Sequence, residues 1–146
     1  MEIFTIGFTQ TPAREFFGKL KDAGVRRLVD VRLNNTSQLA AYAKRDDLAY
    51  FLGAFVGAEY EHEPLLAPTQ EMLDAYKKHK GSWPAYEERF RKLMAERQIE
   101  QQLDRESFLA KPTALLCSER TAEHCHRRLV LEHLHEKWGD VVVVHL

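Results

Sequence analysis

The sequence predicts a three-layer α/β fold built on a mostly parallel sheet of about five strands, with a helical insertion. Three observations support that class. Short apolar or β-branched runs alternate with helix-patterned stretches along the chain. Several of these runs are apolar throughout, as strands buried on both faces should be. The 146 residues, 45% of them hydrophobic, suit one domain, which at this size buries roughly 70% of the surface its unfolded chain exposes.

Residues 2–6 alternate and are β-branched enough for a first strand, which runs out into Gly7-Phe8-Thr9-Gln10. Thr11 is a good N-cap, Pro12 suits the first helical position, and Phe16, Phe17 and Leu20 make the apolar stripe of a helix that Gly24 ends. Residues 27–31, RLVDV, are a second strand and close a β-α-β unit. A polar stretch follows, read as a functional loop with a turn of helix within 38–43. Asp46 or Asp47 caps a helix through Leu48, Phe51, Leu52 and Phe55, ended by Gly57, and residues 58–61 form a third strand. Thr69 caps a helix over 70–78, Gly81 breaks it, and a long charged helix spans about 83–103. Residues 57–111 thus carry the helical insertion. Residues 113–116 make a fourth strand ending in Cys117-Ser118-Glu119. Thr121 caps the last helix, Gly139 stops it, and residues 141–144 are the fifth strand.

Composition excludes several classes. With 21 basic and 22 acidic residues the net charge is −1, so no global field draws the chain to nucleic acid or an anionic membrane. No apolar run approaches the roughly 18 residues of a membrane span, and the start lacks a basic segment leading into an apolar one, so a cytoplasmic protein without a membrane partner is expected. The two cysteines, Cys117 and Cys125, lie too close together for the disulfide framework of a secreted scaffold. Neither repeats nor linkers interrupt the single domain, 1–146.

In an open parallel sheet the ligand crevice lies beyond the carboxyl ends of the strands. The first strand delivers Gly7 and Thr9 there, the second Asp30 and Arg32 with Asn34 and Asn35 beyond, the third His62, and the fourth Cys117, Ser118 and Glu119. Cys117, ahead of a helix N-terminus, is the candidate thiolate nucleophile. Cys125 and His126 fall on the first turn of the last helix, and their 3- and 4-residue spacings to Leu129 and Val130 turn both toward the sheet. Arg32 and Arg127 are the candidate anion clamp, with structural ion pairs to Asp30 and Glu119 as the plainer alternative. A metal site of Cys117, Cys125 and His126 and a Cys117–Cys125 redox pair are the lesser alternatives to an anion site; no metal ligand is assigned, because C-x7-C-H is not a standard zinc spacing and no further Cys-x-x-Cys supplies a fourth ligand. No cofactor is indicated. His62 reads more simply as a loop histidine, and His124, His133, His135 and His145 as solvent or helix-face residues. The run 77–80 reads as a solvated helix end, and Trp83, Tyr86 and Phe90 as core.

Ile6-Gly7-Phe8-Thr9, Leu28-Val29-Asp30-Val31-Arg32, Leu115-Leu116-Cys117-Ser118-Glu119, Cys125-His126-Arg127-Arg128 and Val144-His145-Leu146 together resemble the DUF488 family over the whole chain. The family usually carries Gly-His-Ser where this chain has Gly7-Phe8-Thr9, and a Pro-x-Ser loop where it has residues 33–37; Thr9 keeps the hydroxyl. That resemblance implies an α/β fold and a set of motif positions, with no assigned activity. A weaker likeness to rhodanese-like domains rests on the DVR strand and the strand-end Cys. Residues 118–123 lack the Gly-rich anion cradle of those domains, which disfavours sulfur transfer.

The expected function is an enzyme acting on a small anionic or nucleotide-like ligand, with Cys117 as nucleophile or redox centre, and Glu119 or His126 as acid and base. Thr9, Asp30, Arg32, Asn34, His62, Ser118, Cys125 and Arg127 are the expected binding residues. The alternative is a non-catalytic module that binds nucleic acid or a nucleotide through Arg32, Asn34, Asn35, Lys44 and Arg45, with both cysteines as packing.

Overall fold

The computed structural model describes residues 2–35, 41–119 and 122–146. Strands β1 (Glu2–Gly7), β2 (Arg27–Asp30), β3 (Glu59–His62), β4 (Thr113–Cys117) and β5 (Val142–His145) form one sheet, ordered β3-β2-β4-β1-β5. Every neighbouring pair is parallel, so the sheet is wholly rather than mostly parallel.

Side-chain alternation along the strands makes the three layers. On one face Phe4, Ile6, Leu28, Ala114 and Leu116 pack with Phe16, Phe17 and Leu20 of α1 (Ala13–Asp22) and Leu48 of α2 (Arg45–Phe51). On the other, Ile3, Val29, Leu115 and Cys117 pack beneath α3 (Gln70–Lys77), α4 (Trp83–Arg97), α5 (Ile99–Gln102), α6 (Arg105–Leu109) and α7 (His126–Trp138). The insertion 57–111 therefore contributes strand β3 to the sheet and spreads its helices over a whole face beside α7. Among the described residues no helix is long and apolar enough to cross a membrane.

Local chemistry explains most element ends. The side chains of Thr69, Ser82 and Asp104 accept hydrogen bonds at the starts of α3, α4 and α6. Gly57, with φ at 73°, ends the π turn Leu52–Val56 that prolongs α2. Four expectations change. Thr11 does not cap α1; Pro12 holds the N-cap position, where its fixed φ of −62° fits, and the Thr11 hydroxyl donates to the Thr9 carbonyl instead. Neither Asp46 nor Asp47 caps α2, because the helix begins one residue before them and both fall within its first turn. The helix expected over 83–103 stops at Gln98, which turns left-handed at φ 51° and frees the chain to form α5 and α6. Finally α7 starts at His126, with Cys125 as its N-cap; Thr121 lies outside the described residues, as do residues 38–40 of the predicted turn, whose remainder is a 3-10 turn at Ala41–Ala43.

The strand order locates the crevice. The chain leaving β2 turns to β3 at one edge, and the chain leaving β4 crosses the other way, over β1, to β5. Because β2 and β4 are neighbours, their outgoing loops diverge and open a cleft between them.

Candidate functional site

That cleft has a volume of about 540 Å³. Cys117, at the end of β4, and Cys125 and His126, at the start of α7, converge there. Their donor atoms lie within 4.8 Å of one another. Cys117 Sγ sits against the imidazole, 3.5 Å from Nδ1 and 3.8 Å from Nε2. His126 Nε2 is 2.7 Å from the Val31 carbonyl oxygen, which only accepts, so Nε2 carries the proton and Nδ1 keeps its lone pair. The end of β2 thus fixes the ring that serves the end of β4.

Both thiols are buried and reduced. The hydrogen bond to Cys125, then burial, push the Cys117 thiol well up. Burial opposes ionisation of Cys125 too, yet the hydrogen bonds with Cys117 and His126 and the charge of Arg127 hold it well below the ordinary thiol value. The helix N-terminus expected beside Cys117 is held instead by Cys125, the N-cap of α7.

Arg32 and Asp30 form a buried bidentate pair, Nε to Oδ1 at 2.9 Å and Nη2 to Oδ2 at 2.8 Å. Tyr60 donates to the same carboxylate at 2.6 Å, and burial followed by that bond pushes its phenol up. Arg32 Nη2 also donates to the Ala43 carbonyl, and the guanidinium lies over Phe8. One face of the plainer alternative thus holds: Asp30 and Arg32 are a structural ion pair, although Arg32 still borders the cleft.

Arg127 is fully buried and does not line the cleft; its Nη1 donates to the backbone carbonyl of Glu119 at 2.6 Å. The Glu119 carboxylate pairs instead with Lys77 Nζ at 2.9 Å. Arg32 and Arg127 therefore do not close on one ligand as a clamp. Ser118 lines the cleft, and its carbonyl accepts from the Thr9 hydroxyl at 2.6 Å and from the Phe8 and Thr9 backbone, tying the loop after β1 to the loop after β4. Asn34 is exposed at the rim. His62 stands outside the cleft, its Nε2 donating to the Arg32 carbonyl at 2.8 Å.

Two contributors went unread in the sequence. Lys77, within a run that reads as a solvated helix end, reaches the cleft, where Glu119 outweighs burial and holds its pKa above the ordinary value. Trp83 stacks between Tyr86 and His124, at 5.2 and 5.1 Å, and these rings form an aromatic wall. Tyr86 and Phe90 are core as expected, while His133 is no solvent residue: it is buried and pairs with Glu100 at 2.7 Å.

A family model described as a domain of unknown function, DUF488, matches residues 12–134. The chain belongs to the DUF488 family. No curated protein and no solved structure matches it. In this DUF488 chain the matched segment contains the second and fourth strands with both cysteines and His126, so family membership and cleft geometry concern the same residues. Chemically, two sulfurs, an imidazole with a defined free nitrogen and a helix N-terminus suit the delivery of a nucleophile next to bound negative charge.

Proposed function

We propose that this protein is an enzyme, working in a reducing cytoplasm, that acts on a small anionic or nucleotide-like ligand in the cleft between β2 and β4. The observation that carries the reading is the convergence of Cys117, Cys125 and His126 within 4.8 Å, with all three lining a ligand-sized cleft. Two sulfurs and an imidazole can deliver a nucleophile either as a thiolate or as water on an ion that they hold, and both arrive at the same point. Lys77 and the positive end of α7 attract the anionic group, while the aromatic wall from Trp83 to His124 offers a surface to a planar part.

The role of Arg32 is to fix the β2 loop through Asp30, and Glu119 sets the charge at the rim through Lys77. The binding-module alternative is disfavoured by the same geometry: Arg32 is 3% exposed and already committed to Asp30, which leaves it little reach to a phosphate backbone.

The test is ligand protection. Phosphate and a nucleoside monophosphate should slow alkylation of the native thiols, and Lys77→Ala should weaken that protection while changing stability by less than about 1 kcal/mol, as befits an exposed pair. Anions without effect on either thiol refute an anionic ligand at this site.

A further inference from the structure

We infer that Cys117, Cys125 and His126 form a binding site for one zinc-class divalent ion whose fourth position opens into the cleft. The inference rests on the reading of the cleft as a catalytic site and selects, of its two routes to a nucleophile, the ion-bound water.

The donor set comes first. Two thiols and an imidazole are the ligand types that zinc and its neighbours prefer, and three protein ligands with an open fourth position is the arrangement of a catalytic rather than a structural site. Bonds of about 2.3 Å to sulfur and 2.0 Å to nitrogen at tetrahedral angles put a sulfur and a nitrogen roughly 3.5 Å apart. Cys117 Sγ and His126 Nδ1 already stand 3.5 Å apart, and no pair in the group exceeds 4.8 Å. Seating the ion needs closure of about 1 Å at the widest pair, with the Cys117 sulfur drawn off the ring toward the Nδ1 lone pair.

The second observation is the shell behind the ligands. Metal-bound histidines as a rule give their other ring N–H to a carbonyl or carboxylate, which fixes the ring and its tautomer. His126 Nε2 does this with the Val31 carbonyl at 2.7 Å. The bond leaves Nδ1 as the only ring nitrogen able to coordinate.

Charge is the third. Both sulfurs are buried, Cys117 6% and Cys125 2% exposed, and two neighbouring thiolates in such a place repel each other. A dication neutralises both: the thiol protons leave to solvent, and the ion, two thiolates and a neutral imidazole sum to zero. Buried Arg127 and the α7 N-terminus beside that neutral unit keep the open position attractive to an anion. The spacing C-x7-C-H hides the site from a motif search because its sulfurs come from different elements, a strand end and a helix N-cap.

The test uses the reduced, chelator-treated full chain titrated with Co²⁺. We expect saturation at one equivalent, with a sulfur-to-cobalt charge-transfer band and the intense visible bands of four-coordinate cobalt, all displaced by Zn²⁺. Cys117→Ser and His126→Gln, checked for folding by circular dichroism, should lose the bands. Zn²⁺ should also slow alkylation of both cysteines in the wild-type chain by ~10-fold or more, since a thiolate whose charge is shared with the ion is a poor nucleophile; this arm needs no variant to fold. If no cobalt band and no zinc protection appear while the native thiols still alkylate, the ion is wrong and the thiolate route stands. If the thiols respond to neither metal nor reagent, the ion and the catalytic reading of the cleft fall together.

Discussion

Gly7→Ala tests the geometry that closes the site from below. Gly7 ends β1 opposite Cys117, and a Cβ there would lie 1.5 Å from the Glu119 carbonyl oxygen, 2.6 Å from its carbon and 2.9 Å from Arg127 Nη1. Real Cβ contacts do not fall below 3.0 Å, so the carbonyl must retreat by about 1.5 Å. That retreat breaks the 2.6 Å bond from Arg127 and pulls on the Ser118 carbonyl, which accepts from Phe8, Thr9 and the Thr9 hydroxyl. Overpacking costs about 1–3 kcal/mol, and a buried donor left without its acceptor about 1–3 kcal/mol more. The expected loss is therefore about 2–6 kcal/mol, read by urea unfolding, together with a ~100-fold fall in any activity that depends on loop position, since a displacement near 1 Å suffices for that. Gly18→Ala is the control: nothing lies within 4 Å of its added Cβ, and it sits inside α1. It should gain about 0.5–1 kcal/mol. A Gly7→Ala chain within about 0.5 kcal/mol of wild type, with unchanged thiol reactivity, would refute the close approach of the loops.

Other perturbations follow from the buried pairs. Arg32→Met strands the Asp30 carboxylate in the sheet and should cost about 3–5 kcal/mol; adding Asp30→Asn should recover part of that loss, and an equal or larger loss in the double variant would show that the pair is not the cause. Glu100 is held below the ordinary carboxylate value because, although burial works the other way, His133 bonds to its charged form. Its contribution to stability is thus full above the unfolded value of 4.5 and is lost as pH falls below it through the depressed folded value. Glu100→Gln should flatten the acid limb of a stability–pH profile measured by urea unfolding; an unchanged limb assigns acid unfolding to other carboxylates.

How much of this was legible in the sequence depends on how local each cause is. The ends of β2 and β4 were readable because an apolar run stops abruptly in Asp30 and Arg32, or in Cys117 and Glu119, and a parallel sheet collects such ends on one edge. The neighbour relation of β2 and β4 was not, since pairing between residues 27–30 and 113–116 joins segments far apart in sequence. The break at Gln98 carries no Gly or Pro signal: a non-glycine residue takes the left-handed turn, and α5 beyond it packs on α7. Arg127 shares a helix face with Val130, Leu131 and Leu134, so its burial is consistent with the pattern, but its bond to the Glu119 carbonyl depends on the approach of the β4 loop to Gly7, which no local pattern carries. Lys77 was hidden for the opposite reason: its neighbours in the run 77–80 are solvated, and its own direction depends on where α3 lies over Glu119.

The most direct measurement of the central claim is peptide-mapped alkylation of Cys117 and Cys125 in the reduced, metal-free native protein, compared with the urea-unfolded chain. At least one of the two sulfurs should label in the folded state, and phosphate should slow that labelling. Labelling of both cysteines only after unfolding, at the same rate with and without phosphate, would contradict it and leave them as core packing.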